Sequence, residues 1–183
     1  MSRQWRLLIA LLPLLAFGVW AVRAQDTKPE APKAKAEDVK SVDAIIAAMY
    51  NVISGPKGQD RDWDRFRSLF APGARLIPVV RDKNGGTKAR VIDVDEFAKL
   101  AGASSKENGF FEKEISREVE EFGAMAIIFS TYESRHEKDG APFDRGINNV
   151  QLLRDGDRWR IVTIYWDRER PETPIPAKYL PKK

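Results

Sequence analysis

The spacing of apolar side chains predicts two helices at the start of the main body of the chain. The first apolar stripe recurs every three or four residues and comprises Val42, Ile45, Ile46, Met49 and Ile53. The second comprises Trp63, Phe66, Leu69 and Phe70. Such spacing places the apolar residues on one face of a helix. Because Ser54-Gly55-Pro56 favours a break, we predict one helix over 42–53 and another from about residue 60 to the Ala71-Pro72-Gly73 break.

Strand-like patterns dominate the rest of the chain. The run ARLIPVV at 74–80 predicts a strand, and Asn84-Gly85-Gly86 favours a hairpin turn with a return strand after it. Asp93 and Glu96 form a capping box for a short third helix, and 101–109 is predicted to be a loop. Four long antiparallel strands are predicted at 111–121, 123–136, 145–154 and 158–168.

Strict alternation in the last strand gives it large apolar residues on both faces. One face is predicted to carry Trp159, Ile161, Thr163 and Tyr165, and the other Arg160, Val162, Ile164 and Trp166. Alternate residues of a strand point to opposite faces of a sheet. We therefore expect one face to cover the helices and the other to be buried against a second subunit.

Helices followed by a run of strands predict an α+β domain, with a curved antiparallel sheet wrapped around two to three N-terminal helices and a cone-shaped pocket. Two stretches resemble the nuclear transport factor 2-like superfamily, which includes ketosteroid isomerases and SnoaL-like polyketide cyclases. WDRFRSLFAPGARL at 63–76 is similar to the family's second helix and first strand, and DGDRWRIV at 155–162 to its final hairpin. The resemblance covers roughly residues 40–170. It implies a pocket and a homodimer through the outer sheet face, but no particular reaction.

The N-terminal segment has the pattern of a secretory signal peptide. Arg3 and Arg6 precede an apolar run at 7–22, and the residues at positions −3 and −1 from a cut after Ala24 are small. We therefore predict a signal peptide over 1–24 and a periplasmic or secreted protein. The apolar run is shorter than the roughly 20 residues of a membrane span. A retained signal anchor is the alternative, and only then would the chain contact a membrane.

Composition and charge divide the rest into three parts. Residues 25–40 are predicted to be a disordered linker, 41–170 the folded domain, and 171–183 a Pro- and Lys-rich C-terminal tail. The formal charge of +4 resides at the ends, because 1–24 carries +3, 171–183 carries +2 and 41–170 carries −1. A nearly neutral domain argues against a nucleic-acid partner. The absence of cysteine excludes disulfides and thiolate chemistry.

Few residues suggest catalysis. His136, the only histidine, has the chemistry of a general base, although its place at a strand end is typical of an exposed hairpin residue. Tyr165 and Asp167 could act as hydrogen-bond donor and base if their face lines the pocket. The resemblance implies such a pair, because the family's isomerases use a pocket carboxylate and a phenol, but no residue here matches their base. We predict no metal site and no cofactor.

Three functions remain open at this point. The first is an exported domain that binds a small apolar ligand or acts as an accessory module. The second is an isomerase, dehydratase or cyclase with Asp167 or His136 as base. The third is a protein-interaction module held at the inner membrane. The pocket-lining residues are predicted to be Trp63, Asn149, Gln151, Thr163 and Tyr165.

Overall fold

The computed structural model describes residues 32–182, in which helices pack against a seven-stranded sheet. The helices are α1 (Ala36–Val39), α2 (Val42–Ile53), α3 (Trp63–Ser68) and α4 (Val94–Glu107). The strands are β1 (Phe70–Arg81), β2 (Thr87–Ala89), β3 (Ile92–Asp93), β4 (Phe111–Phe122), β5 (Met125–Arg135), β6 (Asp144–Asp155) and β7 (Arg158–Arg168). The predicted signal peptide and the first part of the predicted linker lie outside the described residues. Within 32–182, no helix is long and apolar enough to cross a membrane.

The sheet is mixed and does not close on itself. Its strand order is β2-β1-β7-β6-β5-β4, and β3 pairs with β1. Strands β4 to β7 form the predicted antiparallel run, whereas β1 pairs with β7 in parallel. The prediction of an α+β domain with N-terminal helices and a curved sheet is confirmed. The parallel pairing was not predicted, because strand order depends on tertiary contacts.

Helix ends depart from the predictions at two places. α2 has the predicted bounds, and the hydroxyl of Ser41 caps it by accepting from the backbone N–H of Ala44 at 3.1 Å. α3 ends at Ser68, and the chain enters β1 at Phe70, so the helix predicted to reach residue 70 is too long. The loop predicted over 101–109 is helical as far as Glu107. Helix α4 continues through Gly102, over which the indole of Trp63 packs.

A bulge changes which side chains of β7 face the helices. The pairing of β6 with β7 shifts register just after Gln151, and such a shift reverses the side chains that follow. We call the helix-covered side of the sheet the inner face and the opposite side the outer face. Trp159 and Ile161 lie on the inner face, whereas Thr163 and Tyr165 lie on the outer face beside β6. The predicted common face for these four residues is therefore wrong.

The folded region begins before residue 41. Helix α1 falls inside the predicted linker, and its Val39 is part of the hydrophobic core with 4% of its surface exposed. The carboxylate of Asp38 accepts two hydrogen bonds from the guanidinium of Arg65, both at 2.8 Å. The last part of the predicted linker is therefore an ordered part of the domain.

The C-terminal tail lies across the outer face. Ile175 is buried, and the ring of Tyr179 stacks on Phe129 with 5.3 Å between centroids. The hydroxyl of Thr131 donates to the carbonyl oxygen of Tyr179 at 2.7 Å. The tail thus covers one part of the face predicted to bind a second subunit.

Candidate functional site

A cavity of about 140 Å³ lies between the helices and the inner face of the sheet. Its apolar lining comprises Met49, Ile53, Phe66, Leu76, Phe97, Phe110, Ile164 and Trp166. The rings of Phe66 and Phe97 stack with 5.2 Å between centroids, and Trp166 meets Phe97 edge to face at 6.3 Å. Because an apolar cavity of roughly 150 Å³ accepts benzene, this space fits a group the size of one aromatic ring.

Three polar side chains line the same cavity, one from each of three neighbouring strands. They are Glu112 of β4, Tyr132 of β5 and Asn148 of β6. A register shift between Glu114 and Ser116 sets the direction of Glu112. Before the shift, Glu112 pairs with Ser134 and lies on the inner face. After the shift, Glu118 and Glu120 pair with Phe129 and Ile127 and lie on the outer face. The bulge therefore separates an inward carboxylate from the exposed acids further along the strand.

Glu112 has an unusual environment for a carboxylate. It accepts hydrogen bonds from the hydroxyl of Ser134 at 2.8 Å and from the amide Nδ2 of Asn148 at 3.4 Å. Burial raises the pKa of Glu112 to about 7, and the nearby Asp144 adds to the rise, against the effect of the two hydrogen bonds. Near neutral pH this group therefore both gives up and takes up a proton readily.

The amide of Asn148 and the hydroxyl of Tyr50 belong to a buried hydrogen-bond chain. Asn148 Nδ2 donates to Tyr50 at 3.1 Å, the hydroxyls of Tyr50 and Ser130 are 2.7 Å apart, and Ser130 donates to the carboxylate of Glu114. Because Ser130 donates to Glu114, Tyr50 donates to Ser130. Burial is also the main cause that raises the pKa of Tyr50. The hydroxyl of Tyr50 is therefore already committed within the protein.

Tyr132 differs, because its hydroxyl makes no hydrogen bond to any residue in 32–182. The side chain is 3% exposed and lines the cavity. Its ring lies against Gly146 of the next strand, where an added Cβ would be 2.6 Å from the Tyr132 hydroxyl. Burial raises the pKa of Tyr132, so the phenol keeps its proton. The hydroxyl oxygen is not sealed from solvent-sized space, so it can be reached from the cavity and is suited to a hydrogen bond with a ligand.

A second, more polar space adjoins the cavity; we call it the vestibule. It measures about 500 Å³. Four side chains line both spaces: Phe110, Glu112, Tyr132 and Trp166. The charged residues that line the vestibule besides Glu112 are Arg81, Asp144, Asp167, Arg168 and Arg170. Glu112 and Tyr132 thus stand where the apolar cavity meets the charged vestibule.

The three residues predicted as catalytic do not come together. His136 is exposed, with its ring stacked on Phe143 at 4.1 Å and its Nδ1 3.1 Å from the carbonyl oxygen of Gly109. Tyr165 is on the outer face and 45% exposed. Asp167 lines the vestibule.

Asp167 is also a weak base in this environment. Burial alone would raise the pKa of Asp167, but hydrogen bonds from Arg170 and the backbone N–H of Arg168, together with the charge of Arg81, hold it below its ordinary value. The carboxylate is therefore engaged with cations at neutral pH, and Glu112 is the carboxyl group that meets the apolar cavity.

The five predicted pocket residues lie elsewhere. Asn149, Gln151, Thr163 and Tyr165 occupy neighbouring positions on the outer face, where Asn149 pairs with Tyr165 and Gln151 with Thr163. Trp63 lies among the helices, with its ring edge against Phe66 at 5.6 Å. None of the five lines the cavity or the vestibule.

The sequence held one signal for the residues that do line the cavity. Alternate positions of β5 carry Ser130, Tyr132 and Ser134, and these hydroxyls follow the buried Ala126 and Ile128 on the same face. Polar side chains that continue a buried face require partners or a ligand. This pattern points to β5 rather than to β7 as the strand that carries the site.

Comparisons with solved structures agree on the architecture. A protein of the NTF2-like family from Streptomyces avermitilis, proposed to be a dehydratase, matches with a TM-score of 0.54 and 14% identity over 73% of this chain and 96% of its own. A protein of unknown function with a cystatin-like fold from Nostoc punctiforme matches with a TM-score of 0.53 and 10% identity over 69% and 87%. A proposed calcium/calmodulin-dependent protein kinase II association domain from Xanthomonas campestris matches with a TM-score of 0.52 and 13% identity over 71% and 86%.

Sequence comparisons add no closer relative: no protein-family model matches the chain, and no curated protein matches it. Identities of this size carry no function, because one fold serves many activities. They do establish the architecture that the resemblance implied. The chain has the nuclear transport factor 2-like, or cystatin-like, fold.

Proposed function

We propose that this protein binds a small, mostly apolar molecule whose ring-sized part fills the cavity and whose oxygen atom meets Tyr132 and Glu112. The observation that carries the proposal is the hydroxyl of Tyr132, which lies at the wall of both the cavity and the vestibule and makes no hydrogen bond to the described residues. A ligand carbonyl or hydroxyl oxygen would accept from it. A ligand hydroxyl could in addition donate to the carboxylate of Glu112.

Phenol is a suitable probe for this proposal, because it has one ring and one hydroxyl. So few atoms bind weakly, with a dissociation constant of about 1 mM as a reasonable scale. We expect Tyr132→Phe to raise that constant about 3- to 10-fold, which corresponds to one lost neutral hydrogen bond. The exposed Tyr165 on the outer face provides the matched control, and Tyr165→Phe should leave the constant unchanged. Equal effects of the two substitutions would contradict the proposal.

A cavity-filling substitution tests the same proposal from the apolar side. Ile53 is half-buried and lines the cavity, so Ile53→Phe should place its ring where the probe binds and abolish binding. Ile77, half-buried at a position that pairs with Tyr165, provides the control Ile77→Phe. If the Ile53 variant is folded by circular dichroism and still binds phenol, the cavity is not the binding site.

Glu112 favours a second candidate function, proton transfer as in an isomerase, dehydratase or cyclase. A carboxyl group whose pKa is about 7 is well matched to general acid–base catalysis at neutral pH. In an enolisation, the Glu112 carboxylate would take a proton from the carbon next to a ligand carbonyl. The Tyr132 hydroxyl would donate a hydrogen bond to the oxygen on which negative charge develops.

Phenylacetone in D₂O tests proton transfer directly, because its CH₂ protons exchange for deuterium only through the enol or enolate. We expect the protein to accelerate that exchange and Glu112→Gln to lower the acceleration at least 100-fold. Glu118, an exposed residue of the same strand, provides the control Glu118→Gln, which should exchange at the wild-type rate. Phenylacetone that binds without faster exchange would leave binding as the function and exclude proton transfer.

A further inference from the structure

The vestibule lies at the polar end of the cavity, so a ligand held there extends into it. Phe110 and Trp166 form part of both walls, and Glu112 and Tyr132 stand between the two spaces. The cavity accepts little more than one ring, whereas the vestibule of about 500 Å³ is larger and open to polar groups. Any substituent beyond the ring and its oxygen would therefore meet the charged residues of the vestibule.

Three guanidinium groups line the vestibule, and one of them, that of Arg170, already pairs closely with a carboxylate. Arg170 donates to the carboxylate of Asp167 at 2.8 Å and to the carbonyl oxygen of Arg168 at 3.1 Å. That geometry is a good charge-assisted hydrogen bond. Arg170 and Asp167 therefore neutralise each other and form a fixed part of the wall.

Arg81 and Arg168 use little of their hydrogen-bonding capacity. The carboxylate oxygen that pairs with Arg81 belongs to Glu172 at 3.9 Å, beyond hydrogen-bond distance, and the Arg81 guanidinium makes no hydrogen bond to the described residues. Arg168 reaches Asp144 only at 3.4 Å, and 63% of its side chain is exposed. Each guanidinium has five N–H donors in a planar fork that suits a carboxylate. Two cations with unfilled donor sites thus face the same space.

These contacts point to an organic acid as the ligand. We propose that the vestibule binds the carboxylate of a small arylalkanoic or similar acid through Arg81 and Arg168, while the ring of the acid occupies the cavity. The inference rests on the proposed binding function and names its ligand class. The ligand carboxylate would use the unfilled N–H donors of Arg81 and Arg168 for short, charge-assisted contacts, which are the stronger kind of hydrogen bond.

Pairs of acids and amides test this inference by calorimetry at pH 7. Phenylacetate, 3-phenylpropanoate and 4-phenylbutanoate place the charge at increasing distances from the ring, and the primary amide of each removes the charge while keeping the shape. We expect at least one acid to bind 10-fold or more tightly than its amide. The double variant Arg81→Gln/Arg168→Gln should reduce that ratio below threefold, because it weakens binding of the acid more than binding of the amide.

The outer face offers a matched control with the same loss of charge. Arg75 and Arg160 lie there, beside Thr163 and Leu153, so Arg75→Gln/Arg160→Gln should keep the wild-type ratio. Two results would overturn the role of Arg81 and Arg168. One is an unchanged acid-to-amide affinity ratio in Arg81→Gln/Arg168→Gln, and the other is an equal fall of that ratio in the control variant. If that variant does not fold, the wild-type salt dependence replaces it: added NaCl should weaken the acid and not the amide, and equal weakening would contradict the inference.

Failure of the inference and failure of the proposed function give different results. Acids and amides that bind equally well would overturn the acid-binding vestibule and leave the cavity as a binding site. Binding of neither acids nor amides, together with no binding of phenol, would overturn both.

Discussion

The protonation state of Glu112 connects the candidate site to the stability of the protein. Its pKa is about 7 in the folded chain, against an ordinary value of 4.5. Between those two values the folded state holds more protons than the unfolded state, so stability falls as pH rises through that window. Above pH 7 the cost of ionising this group is on the order of 3 kcal/mol.

Glu112→Gln should therefore change stability in a pH-dependent way. The amide keeps the shape of the carboxyl group and stays neutral. The free energy of unfolding of the variant, relative to that of the wild type, should therefore rise by about 2 to 3 kcal/mol between pH 5 and pH 8. Urea unfolding at the two pH values measures the difference. Glu118→Gln, at an exposed position, provides the control and should change the free energy of unfolding by the same small amount at both pH values. A Glu112→Gln effect that is independent of pH would mean that folding does not raise the pKa of Glu112.

Two bulges explain why the predicted sheet faces of some side chains in β4 and β7 are wrong. Strict alternation assigns Glu112 to the face of Glu118 and Tyr165 to the face of Trp159. A register shift after Glu114 in β4 and another after Gln151 in the β6–β7 pair break that alternation. A bulge arises from the pairing of two strands, and periodicity within one strand does not contain it.

Elements with strong local signals were predicted well. α2 carries both a regular apolar stripe and a clear break at its end, and its predicted bounds are confirmed. The four long antiparallel strands are also confirmed. Two predicted ends were wrong where packing outweighs the local signal. α4 continues to Glu107, into the loop predicted over 101–109, and α3 ends at Ser68, after which Phe70 begins β1. Local propensity therefore predicts which elements exist better than where they end.

Gly146 tests whether the close packing of β5, β6 and β7 holds Tyr132 in place. An added Cβ would be 2.6 Å from the Tyr132 hydroxyl and would collide with the carbonyl oxygen of Asp167. We expect Gly146→Ala to lower the free energy of unfolding by about 1 to 3 kcal/mol, as overpacking does, and to weaken phenol binding. At Gly140 an added Cβ comes no closer than 3.4 Å to its neighbours, so Gly140→Ala should have little effect on either. Equal effects would contradict the role of Gly146.

At the scale of the whole molecule, the outer face remains the predicted homodimer surface. The tail covers Phe129 and Thr131, whereas Met125, Ile127 and Tyr165 stay 56%, 44% and 45% exposed. Exposed Glu118 and Glu120 lie on the edge strand β4, and exposed Arg75 lies on β1, where it pairs with Asp93 of β3. These charged residues border the apolar part of the face that a second copy would cover.

Ile127→Lys tests this arrangement, because it places a charge at the centre of the predicted interface. We expect the dimer dissociation constant from analytical ultracentrifugation to rise at least 10-fold. Val91 is 56% exposed and lies between β2 and β3, so Val91→Lys should leave the constant unchanged. A wild-type protein that is monomeric at 100 μM would remove the prediction.

Export stays a prediction of the N-terminal sequence. A cut after Ala24 makes Gln25 the first residue of the mature protein, and N-terminal sequencing of protein recovered from the periplasm or medium would detect it. A mature protein that begins at Met1 or Ser2 would instead favour the signal anchor, and with it a module held at the inner membrane.

Methyl NMR during a phenol titration decides whether the cavity between the helices and the sheet is a ligand site. We expect saturable shifts for the methyl groups of Ile53, Leu76 and Ile164, which line the cavity, and none for Ile77 or Leu153 on the outer face. Shifts at Ile77 and Leu153 instead, or no saturable shift at any cavity methyl group up to 20 mM phenol, would contradict it.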